Sequence, residues 1–155
     1  MNSIYFTQFN GPLSVVDIPI PDPTDHGVVI KVEATGLCRS DWHAWMGHDS
    51  DIVLPHVPGH EFAGIISAIG NAVTKFKVGD RIGVGVFVDS CRKCPSCLKG
   101  LQQYCIEGMT GTYNQLERDG KTPAMGGYSN IMVINEDYAV TIPDNLPLDG
   151  VAPLL

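Results

Sequence analysis

Residues 57–70 read VPGHEFAGIISAIG: a polar GHE triplet runs straight into an apolar stretch that glycine closes. The run FAGIISAIG has the length and β-branched content of a strand, bounded by residues that favour turns. The same reading extends outward in both directions. SVVDIPIP (14–21) gives way to a turn at PDPTDHG, and VVIKVEATG (28–36) follows as another strand. VGDRIGVGVFV (78–88) is a further apolar run, and YSNIMVINEDYAVTIP (128–143) closes the chain's β pattern with alternating strands. The 17 glycines and 11 prolines are spread along the chain, as turn punctuation in a β-rich fold would be. One short helix is predicted over CRSDWHAWMG (38–47), with Ser40 and Asp41 in its first turn and Gly47 at its exit. The segment from about 90 to 125 has neither period, and a stretch of that kind needs something other than secondary structure to hold it.

Length and composition bound the function. A chain of 155 residues suffices for one domain with a proper core. Hydrophobic residues at 44% and charged residues at 17% describe a globular protein. The formal charge of −7 would repel a phosphate backbone, so nucleic acid is not an expected partner. The start, MNSIYFTQFN, has neither a basic nor an apolar leader region, and no stretch approaches the roughly 18 apolar residues of a membrane span. A soluble, cytoplasmic protein is the expectation. In that compartment clustered cysteines serve as metal ligands or redox groups more often than as structural disulfides.

Residues 91–105, CRKCPSCLKGLQQYC, hold four of the five cysteines. Cys91, Cys94, Cys97 and Cys105 follow C-x2-C-x2-C-x7-C, a spacing that lets two neighbouring sulfurs face one point while a loop returns the last. Zn2+ is the natural occupant of such a tetrahedron. A redox pair would not need the third and fourth cysteines, and an iron–sulfur cluster remains compatible with the spacing but has no other support. Arg92, Lys93 and Lys99 lie close by in sequence and would offset the charge of four thiolates. With every ligand supplied by protein, such a site is structural and staples its loop. Cys38 in GLCRSDWH and His60 in VPGHE could share a second ion only if the fold brings them together, and a lone Cys is more often a small buried hydrophobe.

The blocks GLCRSDWH, VPGHEFAGIISAIG, VGDRIGV, the four-cysteine lobe, GGYSN and VAPLL occur in one order along the chain. In that order they resemble the N-terminal catalytic domain of zinc-dependent medium-chain alcohol dehydrogenases. GTYNQLERDGKTPAMGGYSN also resembles the cinnamyl alcohol dehydrogenase branch. The resemblance implies a GroES-like β-barrel over residues 1–155, with a short helix and a zinc-stapled lobe at about 90–106. It implies that Cys38 and His60 are catalytic zinc ligands, with Glu61 as an occasional third. Asp41 would accept a hydrogen bond from His60 and fix its tautomer. Ser40 would bond the substrate oxygen and begin a proton relay ending at His43, and Arg39 would contact the cofactor pyrophosphate. The cluster cysteines match the family's structural zinc site.

The chemistry implied is zinc-assisted hydride transfer between a small-molecule alcohol and NAD or NADP, giving an aldehyde or ketone. Two features of that family are not found in these 155 residues: a G-x-G-x-x-G dinucleotide motif, and the cysteine that follows a segment like APLL as the third catalytic ligand. The expectation is therefore a catalytic domain without its cofactor half, inactive alone and free to form a homo-oligomer when whole. The competing expectation is a non-catalytic, zinc-stabilised module of the same fold. His26, His48 and His56 match no ligand position; His26 reads as a turn residue and the HDSD at 48–51 as a solvated rim. Trp42, Trp45 and Met46 read as an apolar wall of the substrate cleft.

Overall fold

A computed structural model describes residues 1–48 and 52–155. Asp49, Ser50 and Asp51, three of the four residues read as a solvated rim, lie outside the described residues. The centre is a five-stranded antiparallel sheet. Strands β3 (Gly27–Thr35) and β4 (Phe62–Ile69) form its middle, from Val28↔Ile69 to Thr35↔Phe62. β8 (Ile131–Asn135) pairs with the free side of β3, β5 (Arg81–Val84) with β4, and β9 (Ala139–Thr141) with β5. The resulting order β8-β3-β4-β5-β9 curls into a half-barrel, the form the expected barrel takes. Register shifts between β3 and β4 leave Ser67 of β4 and Glu33 of β3 as extra residues, bulges that increase local twist and help the sheet curl.

Alternation along the strands builds the core. Val28 and Ile30, Phe62 and Ile66, Ile82 and Val84, Met132 and Ile134 all point to one face and are buried there. Two hairpin-like pairs flank the sheet: β1 (Asn2–Tyr5) with β2 (Ser14–Asp17), and β6 (Phe87–Asp89) with β7 (Thr110–Gly111). The apolar run 78–88 is thus two strands, because Gly85 packs against the backbone of Leu155 and the chain turns there. Helix α1 spans Arg39–Met46, close to the predicted 38–47. Two further one-turn helices, α2 (Pro95–Leu98) and α3 (Leu148–Val151), lay outside the sequence reading, as did β1. α3 leads to Ala152, which is buried with Ala63 and Ile142, so the apolar end of the chain packs on the sheet.

His26 does more than turn the chain. Its Nδ1 lies 2.9 Å from Glu136 Oε1, while Glu136 Oε2 accepts the N–H groups of Thr74 and Lys75 at 2.9 and 2.8 Å. Burial pushes the Glu136 carboxyl up, but His26 and those two N–H groups outweigh it and hold it below the ordinary 4.5. A carboxylate depressed in the folded state stabilises the fold above its unfolded value and loses that contribution as pH falls through the folded one. Glu136→Gln should therefore lower the melting temperature at neutral pH and flatten its decline on acidification. Parallel wild-type and variant curves of melting temperature against pH would contradict this.

Candidate metal centres and the cleft between them

The start of α1 is organised by one carboxylate. Cys38 is the N-cap in extended conformation, and Asp41 reaches back so that its Oδ2 accepts the Cys38 N–H at 3.1 Å. Asp41 Oδ1 accepts the Gly59 N–H at 2.9 Å, and the Tyr128 hydroxyl donates to Oδ2 at 3.1 Å. One buried side chain thus ties the helix, the GHE loop and the GGYSN segment together. Burial raises the Asp41 carboxyl, yet His60 and the N–H groups of Gly59 and Cys38 hold it below the ordinary carboxylate range. Gly59 has φ of 100°, a left-handed conformation, and a Cβ there would sit 2.5 Å from the Tyr128 ring. Only glycine meets both conditions.

This hub sets Cys38 and His60 side by side. The ligand atoms of Cys38, His60 and Glu61 all lie within 4.8 Å of one another. Gly36 makes room for Glu61: its N–H donates to the Glu61 carbonyl at 2.6 Å, and a Cβ at that position would collide with the Glu61 carboxylate. His60 Nδ1 is 3.6 Å from Asp41 Oδ1, beyond a normal hydrogen bond, and His60 Nε2 is 3.7 Å from Glu61 Oε1. Asp41 holds the His60 ring above its ordinary pKa against the opposing effect of burial. Ser40 lies 3.5 Å from the Cys38 sulfur and, by hydrogen bonding, draws that thiol below its ordinary pKa. A thiol, an imidazole and a carboxylate converging at this spacing suit Zn2+. His60, with Ser40, lines a cleft of about 270 Å3 whose other walls include Val86, Met109, Tyr113, Asn114 and Gln115.

The second centre is built by the lobe. Cys94 caps α2, with Pro95 pre-set at its first position. Backbone N–H groups point at the sulfurs: Cys94 to Cys91 at 3.3 Å, Cys91 to Cys105 at 3.4 Å, and Cys97 to Cys94 at 3.5 Å. The four sulfurs lie within 4.8 Å of one another, and none is in a disulfide. The N–H of Cys97, then that of Ile106, lowers the Cys94 thiol to about 6, while burial pushes Cys91 up to about 11. Four sulfurs at this separation with N–H groups stabilising their charge fit one tetrahedral metal ion. Ser90, fully buried, accepts the Tyr138 hydroxyl at 2.6 Å and sits 3.3 Å from the Cys97 sulfur. Its part in seating Cys97 had no signal in the sequence.

Residues 24–144 match the alcohol dehydrogenase GroES-like domain. The chain belongs to that family. NADP-dependent alcohol dehydrogenase C of Mycobacterium bovis is 49% identical over 144 residues, which are 93% of this chain and 41% of that protein. The crystal structure of CAD from Helicobacter pylori complexed with NADP(H) superposes with a TM-score of 0.92 at 36% identity, covering 99% of this chain and 44% of the other. A cinnamyl alcohol dehydrogenase of Sorghum bicolor gives 0.93 at 39% identity, with the same coverage. The chain thus spans about two fifths of the length of these relatives.

The Arg39 guanidinium lies 5.9 Å over the Trp42 ring. His43 sits late on α1, with its Nδ1 2.7 Å from His48 Nδ1. The apolar wall of the cleft is made by Val86, Met109 and Tyr113 and not by Trp42, Trp45 and Met46. Trp45 instead donates its indole N–H to the Gly11 carbonyl at 2.8 Å and so faces the N-terminal loop. Arg92 and Lys93, expected to offset the thiolate charge, also pair with carboxylates, Arg92 with Asp89 at 3.4 Å and Lys93 with Glu107 at 3.3 Å. Tyr113, unremarked in the sequence, lies between His56 and His60, at ring separations of 4.9 and 5.0 Å. Burial, with Asp41 nearby, raises its hydroxyl well above the ordinary range, so it stays neutral. Among the described residues no helix is long and apolar enough to cross a membrane.

Proposed function

We propose that the chain is the zinc-bearing catalytic part of an NADP-linked alcohol dehydrogenase interconverting a small-molecule alcohol with its aldehyde or ketone. The observation that carries this reading is the convergence of Cys38, His60 and Glu61 within 4.8 Å, with His60 and Ser40 lining a cleft. Those three residues would hold a catalytic zinc, and Cys91, Cys94, Cys97 and Cys105 a structural one. When bound, the catalytic zinc supplies Lewis acidity to the substrate oxygen. The chain's own residues do the rest. Asp41 holds the helix start and the GHE loop so that the ligands stay aimed at one point. Ser40, on the cleft, takes the hydrogen bond of the substrate hydroxyl, and His43 carries the proton outward. Val86, Met109 and Tyr113 are the apolar part of a lining that also carries Asn114 and Gln115, and that apolar part suits aromatic or medium-length aldehydes.

Arg39 would meet the pyrophosphate of the dinucleotide, whose main binding site is a Rossmann segment of the kind these 155 residues do not contain. NADP is preferred because relatives carry it in their names and in a bound structure. The partners are small molecules, with homo-oligomerisation allowed and neither nucleic acid nor membrane engaged; the compartment is the cytoplasm. The test uses the whole gene product with cinnamaldehyde and NADPH, followed by loss of NADPH absorbance. Wild type should turn over. Cys38→Ser should lose at least roughly 100-fold in kcat while keeping its melting temperature and its lobe zinc. Undiminished turnover in Cys38→Ser would overturn the assignment.

A further inference from the structure

Helix α1 ends on Gly47 in the left-handed conformation, φ 69° and ψ 33°. Two backbone bonds close the end: Gly47 N–H to the Ala44 carbonyl and His48 N–H to the His43 carbonyl, both 3.1 Å. This double closure folds the residue after glycine back over the residue five before it, a place where two side chains regularly touch. The side chains brought together are both imidazoles. His43 Nδ1 and His48 Nδ1 are 2.7 Å apart, with ring centroids at 4.9 Å. Trp42 sets its edge against both, at 5.2 and 5.4 Å. Two ring nitrogens at that distance share one hydrogen, so one Nδ1 donates and the other offers a lone pair.

We propose that His48 is a positioning residue for proton transfer, fixing His43 as the Nδ1–H tautomer and standing next in line beyond it. The origin of the proton rests on the proposed dehydrogenase reading; the pairing itself does not. For His43 to accept a proton from the cleft through Nε2, its own hydrogen must sit on Nδ1 and be donated to His48. In alcohol oxidation the hydroxyl proton would pass by way of Ser40 to Nε2 of His43; a bound nicotinamide would supply the hydride acceptor. The Nδ1 proton of His43 then moves to Nδ1 of His48, whose Nε2 proton goes to water. One proton enters and one leaves, and both rings end neutral with their tautomers exchanged. Aldehyde reduction runs the same transfers backward and restores them.

Nitrogen NMR of the 155-residue chain in mildly alkaline buffer tests the pairing without activity. Long-range 1H–15N correlations should show the Nδ1–H form for His43 and the Nε2–H form for His48. His48→Phe should release His43 to the Nε2–H form that a solvated imidazole prefers. A wild-type His43 already in the Nε2–H form, or one unchanged by His48→Phe, overturns the proposal. In the whole gene product, His48→Phe should lower kcat roughly tenfold with KM unchanged, be rescued by added imidazole, and add nothing to His43→Ala. Independent, multiplying losses in the double variant would also overturn it. A gene product without dehydrogenase activity would sink the proposed function instead, and the NMR result alone would then decide the pairing.

Discussion

Cys97→Ser is expected to strip the 90–106 lobe of its metal and open it to proteolysis. Few other interactions hold that lobe. Its secondary structure is the single turn of α2 and a 3-10 turn at Gln102–Tyr104, while Leu98, Tyr104 and Ile106 face solvent. In small zinc peptides the binding free energy is the folding free energy, on the order of 10 kcal/mol, and nothing in this lobe replaces it. Cys97 is also the buried member of the set that touches Ser90, so its loss leaves that hydroxyl with a changed partner. Limited trypsin digestion should cut the variant at Arg92, Lys93 or Lys99 while the five-stranded sheet persists. Equal resistance of wild type and variant would contradict the structural-site assignment.

Asp41→Ala should be the most destabilising change outside the lobe, at about 3–5 kcal/mol. Removing the carboxylate leaves the N–H groups of Cys38 and Gly59 and the Tyr128 hydroxyl without their acceptor. Those groups belong to three separate segments, so the loss unties the helix start from the GHE loop and from GGYSN. A cost of that size is a large share of the total stability of a domain this small. Asp41→Asn keeps the volume but offers one acceptor oxygen for three donors, and should fall between the two. Urea unfolding measures both; a loss below about 1 kcal/mol for Asp41→Ala would show that Asp41 is not the hub.

How much of this could be read in the sequence depends on the range of the interaction. The spacing of Cys91, Cys94, Cys97 and Cys105 is local and states its own chemistry, and the placing of Val28 and Ile30 or Ile82 and Val84 on one face follows from strand geometry. The helix at 38–47 was legible from its capping residues. Tyr128, by contrast, meets Asp41 across a separation of 87 residues, and no periodicity carries that information. β1 was missed because four residues, NSIY, show only one clear alternation and depend on β2 for their partner. The pairing of Arg92 with Asp89 and of Lys93 with Glu107 was not legible either, since Glu107 meets Lys93 through the folding of the lobe. The His43–His48 contact was within reach, since a helix ending in glycine places its next residue back on the last turn. Reading His48 as part of a solvated rim leaves that contact out.

Two candidate metal sites of different character share one chain: a closed four-thiolate site and an open, mixed-ligand site whose His60 lines the cleft. Zinc counting after mild chelation tests this most directly. The four-cysteine site has every ligand from protein and N–H groups on its sulfurs, whereas Cys38, His60 and Glu61 offer one thiolate, one imidazole and one carboxylate. The 155-residue chain should therefore retain close to one zinc per chain, kept in Cys38→Ser and lost in Cys97→Ser. Two chelator-resistant zincs, or one that survives Cys97→Ser and vanishes in Cys38→Ser, would contradict the account.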